Sequence, residues 1–240
     1  MEEWVLDKKV EEGQSAWSSP TFLVSKKGGK WRGVVDFRAL NEATVTDAHP
    51  LPRIEDILVG QGRRHIFSVL DLKDAFHQVP LHKDSPPHTC CSTPRGTKQW
   101  RVVVMGLKNG VAIFQRVIEY CLQRVADTAD PYVDDIIIGT EWKGTEAATL
   151  EAHDQDVRRV FDALEEHKLV VDGKKCDLFV KEVEFCGHIL GGGKRRPSPG
   201  KLLALEQWEE PRTVTALRGF LGLPIITPRT SRIMLPMQLL

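Results

Sequence analysis

The sequence predicts an α+β fold in which an antiparallel sheet is covered by helices on one face. Three observations predict it. The apolar runs Ile66 to Leu70 and Ile136 to Ile138 read as buried strands, and Asp134-Asp135 makes a tight turn between the second run and Tyr132-Val133. Apolar residues at Leu107, Val111, Phe114, Val117, Ile118, Cys121, Leu122 and Val125 have the spacing of a helix with one buried face. Strands and helices are interleaved, with hairpins among them.

Taken in order, Glu2 to Glu12 is a charged stretch carrying Trp4, Val5 and Val10, which predicts a short helix ended by Gly13. Thr21 to Lys27 and Lys30 to Phe37 are strand-like around a Gly28-Gly29 turn, a hairpin with lysines near its tip. His49-Pro50-Leu51-Pro52 breaks the chain before a helix from Arg53 to about Gly60. The strand Ile66 to Leu70 ends in Asp71. A helical turn through Lys73 to Phe76 and a strand near Gln78 to Leu81 follow. Strands at about Thr89 to Thr93 and Lys98 to Val104 bracket Pro94-Arg95-Gly96. Beyond the Asp134-Asp135 turn, Val157, Val160, Phe161 and Leu164 mark a second amphipathic helix. Leu178 to Phe179 and Val183 to Leu190 read as paired strands, and Lys201 to Trp208 and Val214 to Leu223 as helices.

A chain of 240 residues can bury one good core and a second small lobe. Its 33 basic and 33 acidic residues cancel, so any nucleic-acid footprint has to be local. Lys26, Lys27, Lys30 and Arg32, then Arg63 and Arg64, then Lys194, Arg195 and Arg196 are the clusters available. Five cysteines without a Cys-x-x-Cys pair predict free thiols in a reducing, intracellular compartment, cytoplasmic or nuclear. Cys176, Cys186 and His188 do not have the spacing of a common zinc finger. The first residues lack a signal-peptide pattern and no apolar run has the length of a membrane span, so no membrane partner is expected.

The chemistry gathers at three carboxylates. If the strand closed by Asp71 neighbours the Asp134-Asp135 turn, three like charges meet at one rim of the sheet. They would raise one another's pKa unless a cation sits among them. Oxygen-only donors with water access suit Mg²⁺. Taken singly, an Asp after a strand is more often a cap, and Asp-Asp between strands a solvated hairpin tip.

The surrounding blocks decide between those readings. Tyr132-Val133-Asp134-Asp135 resembles the YxDD signature of reverse transcriptases. SVLDLKDAFHQVPL (Ser68 to Leu81), KWRGVVDFRALN (Lys30 to Asn41), WSSPTFLVSKK (Trp17 to Lys27) and PLPRIEDIL (Pro50 to Leu58) resemble further blocks of that family. So do STPRG (Ser92 to Gly96), MGLKNGVAIFQRVIE (Met105 to Glu119), KKCDLFVKEVEFCGHIL (Lys174 to Leu190) and TALRGFLGL (Thr215 to Leu223). All stand in family order over roughly residues 2 to 223. The resemblance is to the reverse transcriptase of gypsy-like LTR retrotransposons, carried within a retrovirus-related Pol polyprotein.

That resemblance implies a right-hand polymerase fold with fingers, palm and an incomplete thumb. Fingers would fall at 1–66, palm at 67–190 with some fingers elements near 82–104, and the start of the thumb region at 191–223. It implies RNA-directed DNA polymerase activity on an RNA or DNA template with primer and dNTPs. Asp71, Asp134, Asp135 and the Leu72 carbonyl would hold two Mg²⁺ ions, with Mn²⁺ as a substitute. Lys26 and Arg32 would meet the nucleotide triphosphate, and Phe76 would exclude a ribose 2′-hydroxyl. Lys175 would protonate pyrophosphate, and Phe185, Cys186, Gly187 and His188 would position the primer end.

Departures from the family pattern are visible too. Val104 and Val111 stand where prolines are usual, and Cys91 where an aromatic is usual. After Leu223 the family continues Asn-Tyr-Tyr, whereas this chain reads Pro224-Ile225-Ile226-Thr227. Codons CCA-ATT-ATT-ACN read two bases on would give Asn-Tyr-Tyr, so residues 224–240 are expected to be an out-of-frame or disordered tail. Ribonuclease H and integrase modules are expected to be encoded nearby. The alternative expectation is a truncated relic that folds and does not polymerise.

Overall fold

The structure, a computed structural model, describes residues 9–25, 29, 31–206, 213, 214 and 217. A four-stranded antiparallel sheet lies at its centre, in the order β7 (Ala129–Tyr132), β8 (Asp135–Thr140), β4 (Ile66–Asp71), β9 (Asp177–Val180). Side chains alternate across each strand, so β4 and β8 send one set of residues to each face. Leu70, Ile136 and Ile138 pack on one face with Phe114, Ile118, Leu122, Val157, Val160 and Leu164. Those partners belong to α3 (Gly110–Leu122) and α4 (Glu146–Glu166).

The opposite face is covered as well. Phe67, Val69 and Ile137 meet Ile57 and Leu58 of α2 (Ile54–Gln61) and Val183, Phe185 and Leu190 of the hairpin β10 (Glu182–Phe185) and β11 (His188–Gly191). The expectation of a sheet covered on one face is therefore corrected: both faces are buried. The unbroken apolar runs reflect this, since a strand wet on one side alternates apolar with polar. A further strand, β12 (Lys194–Pro197), extends the hairpin, and α5 (Pro199–Glu206) follows.

The amino-terminal part builds a second, smaller layer. β1 (Val10–Glu12), β6 (Gly96–Trp100) and β5 (Cys91–Thr93) form a three-stranded sheet, whose core is Val10, Phe37, Cys91, Trp100 and Val104. The hairpin β2 (Thr21–Ser25) and β3 (Trp31–Val35) projects from it, and α1 (Arg38–Ala43) leads back to the main sheet.

Three expectations are corrected here. The described end of the expected first helix, Val10 to Glu12, is strand: Val10 pairs with Trp100, while Glu11 and Glu12 engage Gln99 and Lys98. Tertiary pairing overrides a local helical pattern. The expected strand at Gln78 to Leu81 is a 3₁₀ turn (Ala75–Gln78) followed by a single bridge from Pro80 to Val102. Proline has no N–H to extend a ladder. Leu178 and Phe179 pair with β4 rather than with 183–190, which fold back on themselves. Helix α1 had no periodic signal in its six residues. The expected helix at Val214 to Leu223 lies largely outside the described residues, and the tail from Pro224 wholly so.

Candidate active site

β4 and β8 run antiparallel in a register that sets Asp71 directly opposite Asp135. Residues facing each other in this way project to the same side, with Cβ atoms about 4.5–5.5 Å apart. Asp134 occupies the second position of the two-residue turn between Tyr132 and Asp135, and its carbonyl accepts the Leu72 N–H at 3.1 Å. The N–H and C=O of one extended residue point the same way, so the Leu72 carbonyl also faces this turn.

Electrostatics at this rim is unfavourable as it stands. The Asp135 carboxyl is pushed up to about 6 by burial, then by the charges of Asp134 and Asp71, with Lys175 opposing. Lys175 Nζ lies 3.0 and 3.3 Å from the two Asp71 carboxylate oxygens, and this hydrogen bond raises the lysine's own pKa. Among the described residues, no three His, Cys, Asp or Glu side chains are closed around a metal-sized space. Asp71 is turned to the lysine instead. The donor set is nevertheless hard oxygen only, and a carboxyl held up near 6 by burial and then by neighbouring carboxylates is one that a cation would relieve. The residues fit Mg²⁺ once Asp71 turns from Lys175 to its cross-strand partner.

The lysine is delivered by a turn organised by Asp172. Its N–H donates to the Asp71 carbonyl at 2.8 Å, and its own carbonyl accepts the Lys175 N–H at 2.9 Å. Sequence reasoning missed Asp172, because a lone Asp in a loop carries no signal of the strand it will dock on.

A cleft of about 180 Å³ opens beside the aspartates, lined by Leu72, Ala75, Phe76, Met105, Asp134 and Lys175 among others. Phe76 is half-buried in the 3₁₀ turn after Asp71, and its ring centroid lies 5.3 Å from that of Phe114. That packing fixes the ring at the cleft wall. Cys91, where the family pattern has an aromatic, is buried against Trp100 and Val10, with its thiol pushed up to about 11 by burial.

The remaining expected site residues are placed unevenly. Lys26 lies outside the described residues, and Arg32 is described only as the strand partner of Val24. Phe185 and His188 are buried, at 2% exposure each, so neither side chain reaches solvent. Cys186 and Gly187 form the turn between them with φ of 47° and 72°. Positive φ at both central positions is the type I′ hairpin, where glycine is preferred. His188 Nδ1 donates to the Cys186 carbonyl at 3.1 Å, bracing the turn. What this hairpin presents is its backbone.

Solved structures share this architecture. A foamy viral protease–reverse transcriptase in complex with dsDNA superposes with a TM-score of 0.80 at 27% identity, over 92% of this chain and 38% of that one. The foamy viral enzyme in complex with an RNA/DNA hybrid gives 0.76 at 26% identity, over 92% of this chain and 29% of that one. The sheet, its two covered faces and the carboxylates at its rim thus define a polymerase-type fold. The chain belongs to the reverse transcriptase (RNA-dependent DNA polymerase) family, whose model matches residues 24–190.

Among curated proteins it is 33% identical to the Pol polyprotein of transposon 297 of Drosophila melanogaster, over 89% of this chain and 20% of that protein. It is 32% identical to that of transposon gypsy of the same fly, over 89% of this chain and 21% of that protein. The enzymatic polyprotein of cauliflower mosaic virus (strain Strasbourg) is 32% identical over 98% of this chain and 35% of that protein. The chain thus spans about a fifth to a third of these relatives' length.

Proposed function

We propose that this chain is the polymerase core of an LTR-retrotransposon Pol polyprotein, adding deoxynucleotides to a primer 3′-hydroxyl on an RNA or DNA template. The observation that carries the proposal is the cross-strand pairing of Asp71 with Asp135, beside Asp134, with the Asp135 carboxyl pushed up to about 6. Like charges directly opposite destabilise a sheet, so their presence calls for a ligand. Asp71, Asp134, Asp135 and the Leu72 carbonyl would hold two Mg²⁺ ions, or Mn²⁺ in their place. Such ions lower the pKa of an attacking hydroxyl and offset charge on the phosphates.

The chain's own residues position and neutralise. Lys26 and Arg32, on the β2–β3 hairpin, would offset the triphosphate's charge. Lys175, kept protonated beside Asp71, would hold a proton for the departing pyrophosphate. Phe76 would wall the cleft where a sugar 2′-hydroxyl would sit, favouring dNTPs. The Cys186-Gly187 backbone, anchored by buried Phe185 and braced by His188, would support the primer end. We assign residues 1–66 to fingers, 67–190 to palm with fingers elements at about 82–104, and 191–223 to the start of the thumb region. Five free cysteines support a reducing intracellular setting. Ribonuclease H and integrase modules would be supplied by adjoining coding sequence.

Primer extension on an RNA template with Mg²⁺ tests this, comparing the chain with Asp134→Asn. Incorporation by the chain and loss in the variant is expected. Equal incorporation by both would remove the claim that this chain polymerises through Asp134, and none by either would make it a relic that folds without polymerising.

A further inference from the structure

The turn that carries Asp134 is built on an unfavourable residue. Val133 has φ of 55°, at the first central position of the turn between Tyr132 and Asp135. Positive φ there is the type II′ pattern, which favours glycine, and a β-branched residue in that region is strained. A strained turn persists when its surroundings hold it. The hold is visible.

Gln115, on α3, is fully buried at 0% exposure. Its Oε1 accepts the Val133 N–H at 2.8 Å. Its Nε2 donates to the Pro131 carbonyl at 3.2 Å and to Glu119 Oε1 at 2.9 Å. Glu119 Oε2 in turn meets His49 Nε2 at 3.1 Å. The amide orientation is unambiguous, because an N–H needs an oxygen opposite it and a carbonyl needs a donor. No other side chain of this size offers an acceptor to residue 133 and a donor to residue 131. A carboxylate would lack the donor; leucine would lack both.

We propose that Gln115 is a positioning residue for the metal site: it clamps the entering strand at Pro131 and the first central residue of the turn, holds Val133 left-handed, and so keeps Asp134 and Asp135 aimed at Asp71. The inference rests on the polymerase reading for its purpose, and on the Gln115 geometry for its content. Its role is separable from folding, because the strain it restrains can be relieved at a second position. Glycine adopts positive φ without penalty, so Val133→Gly removes the need for the clamp.

The test compares the unaltered chain, Gln115→Leu, Gln115→Glu, Val133→Gly and the Gln115→Leu/Val133→Gly double variant. Three readouts are taken: amide hydrogen exchange at Val133, Mn²⁺ binding, and Mg²⁺ dependence of primer extension. Gln115→Leu should lose Val133 protection and weaken Mn²⁺ binding by about tenfold, with a matching rise in the Mg²⁺ needed for half-maximal extension. Gln115→Glu keeps the Val133 contact and loses the Pro131 one, and should fall between; it serves if the leucine variant does not fold. The double variant should recover most of the metal affinity.

Unchanged Val133 exchange or unchanged Mn²⁺ affinity in Gln115→Leu (in Gln115→Glu, should leucine unfold the chain) would overturn the proposal. So would a double variant that melts normally yet stays as weak as Gln115→Leu. An unaltered chain that binds Mn²⁺ without extending primers would fail the polymerase reading alone, leaving exchange and Mn²⁺ affinity to judge Gln115. No Mn²⁺ binding by the unaltered chain would overturn both.

Discussion

The same two strands, β4 and β8, carry two polar clusters with opposite characters. At the buried end, Ser68, Thr140 and His153 are at most 1% exposed and every group is matched. Phe179 N–H donates to Ser68 Oγ at 3.1 Å, and Ser68 donates to His153 Nε2 at 2.8 Å. His153 Nδ1 donates to Thr140 Oγ1 at 2.8 Å, and Thr140 donates to Asp156 Oδ2 at 2.7 Å. The chain runs one way, and so fixes one neutral tautomer of the histidine. At the open end, Asp71, Asp134 and Asp135 face one another with one lysine among them. A Ser-His-Asp combination thus turns out to be a satisfied brace between α4 and the sheet. The cluster left electrostatically incomplete is the one to which we assign the chemistry.

The largest effect expected from this contrast is at the open end. Asp134→Asn should lower primer extension by about 10³-fold or more and leave the melting temperature unchanged or raised. A variant that loses activity by unfolding would erase the contrast. Lys175→Met should lower kcat by roughly 10²-fold, the range of a lost general acid, with little change in stability because its ion pair is exposed.

Legibility in the sequence divides along the same line. Asp71 closing an apolar run and Asp134-Asp135 between two others could be picked out directly, because strand ends and hairpin tips are local features. Gln115 could not be assigned a role. A polar residue beside Phe114 on the buried side of a helix is a cue, but its partner Val133 is 18 residues away and defined by a turn conformation. The His153 network draws on β4, β8, α4 and β9, and no spacing rule brings these together. The two covered faces of the sheet, likewise, depend on where β10 and β11 fold back.

At the closed end the expected effects are on stability. His153→Leu should cost about 2–3 kcal/mol, since Ser68 and Thr140 keep their buried hydroxyls and lose the partner between them. Activity per folded molecule should stay within about twofold in extension assays corrected for folded fraction. A loss of turnover in fully folded protein would join the two clusters into one functional unit.

The smallest effects concern pH, and the two ends should respond with opposite sign. The Asp135 carboxyl is raised from 3.8 to about 6 in the folded chain. Its contribution is therefore full below about 4 and lost as pH rises through about 6. The His153 pKa is lowered from 6.5, chiefly by burial. Its contribution is present above about 6.5 and lost as pH falls through the folded value. Melting curves of the metal-free chain between pH 4 and 8 should show the Asp135 slope vanish in Asp135→Asn, and Mg²⁺ should stabilise more at pH 8 than at pH 5. A metal effect independent of pH would detach Asp135 from the site.

Locating Mn²⁺ by anomalous scattering in crystals of the chain tests most directly whether the opposed carboxylates at the sheet's rim are a divalent-cation site. The expected result is an ion held by Asp71, Asp134 and Asp135, with Lys175 displaced from Asp71. An ion bound elsewhere, or no ion and Lys175 still seated on Asp71, would contradict it.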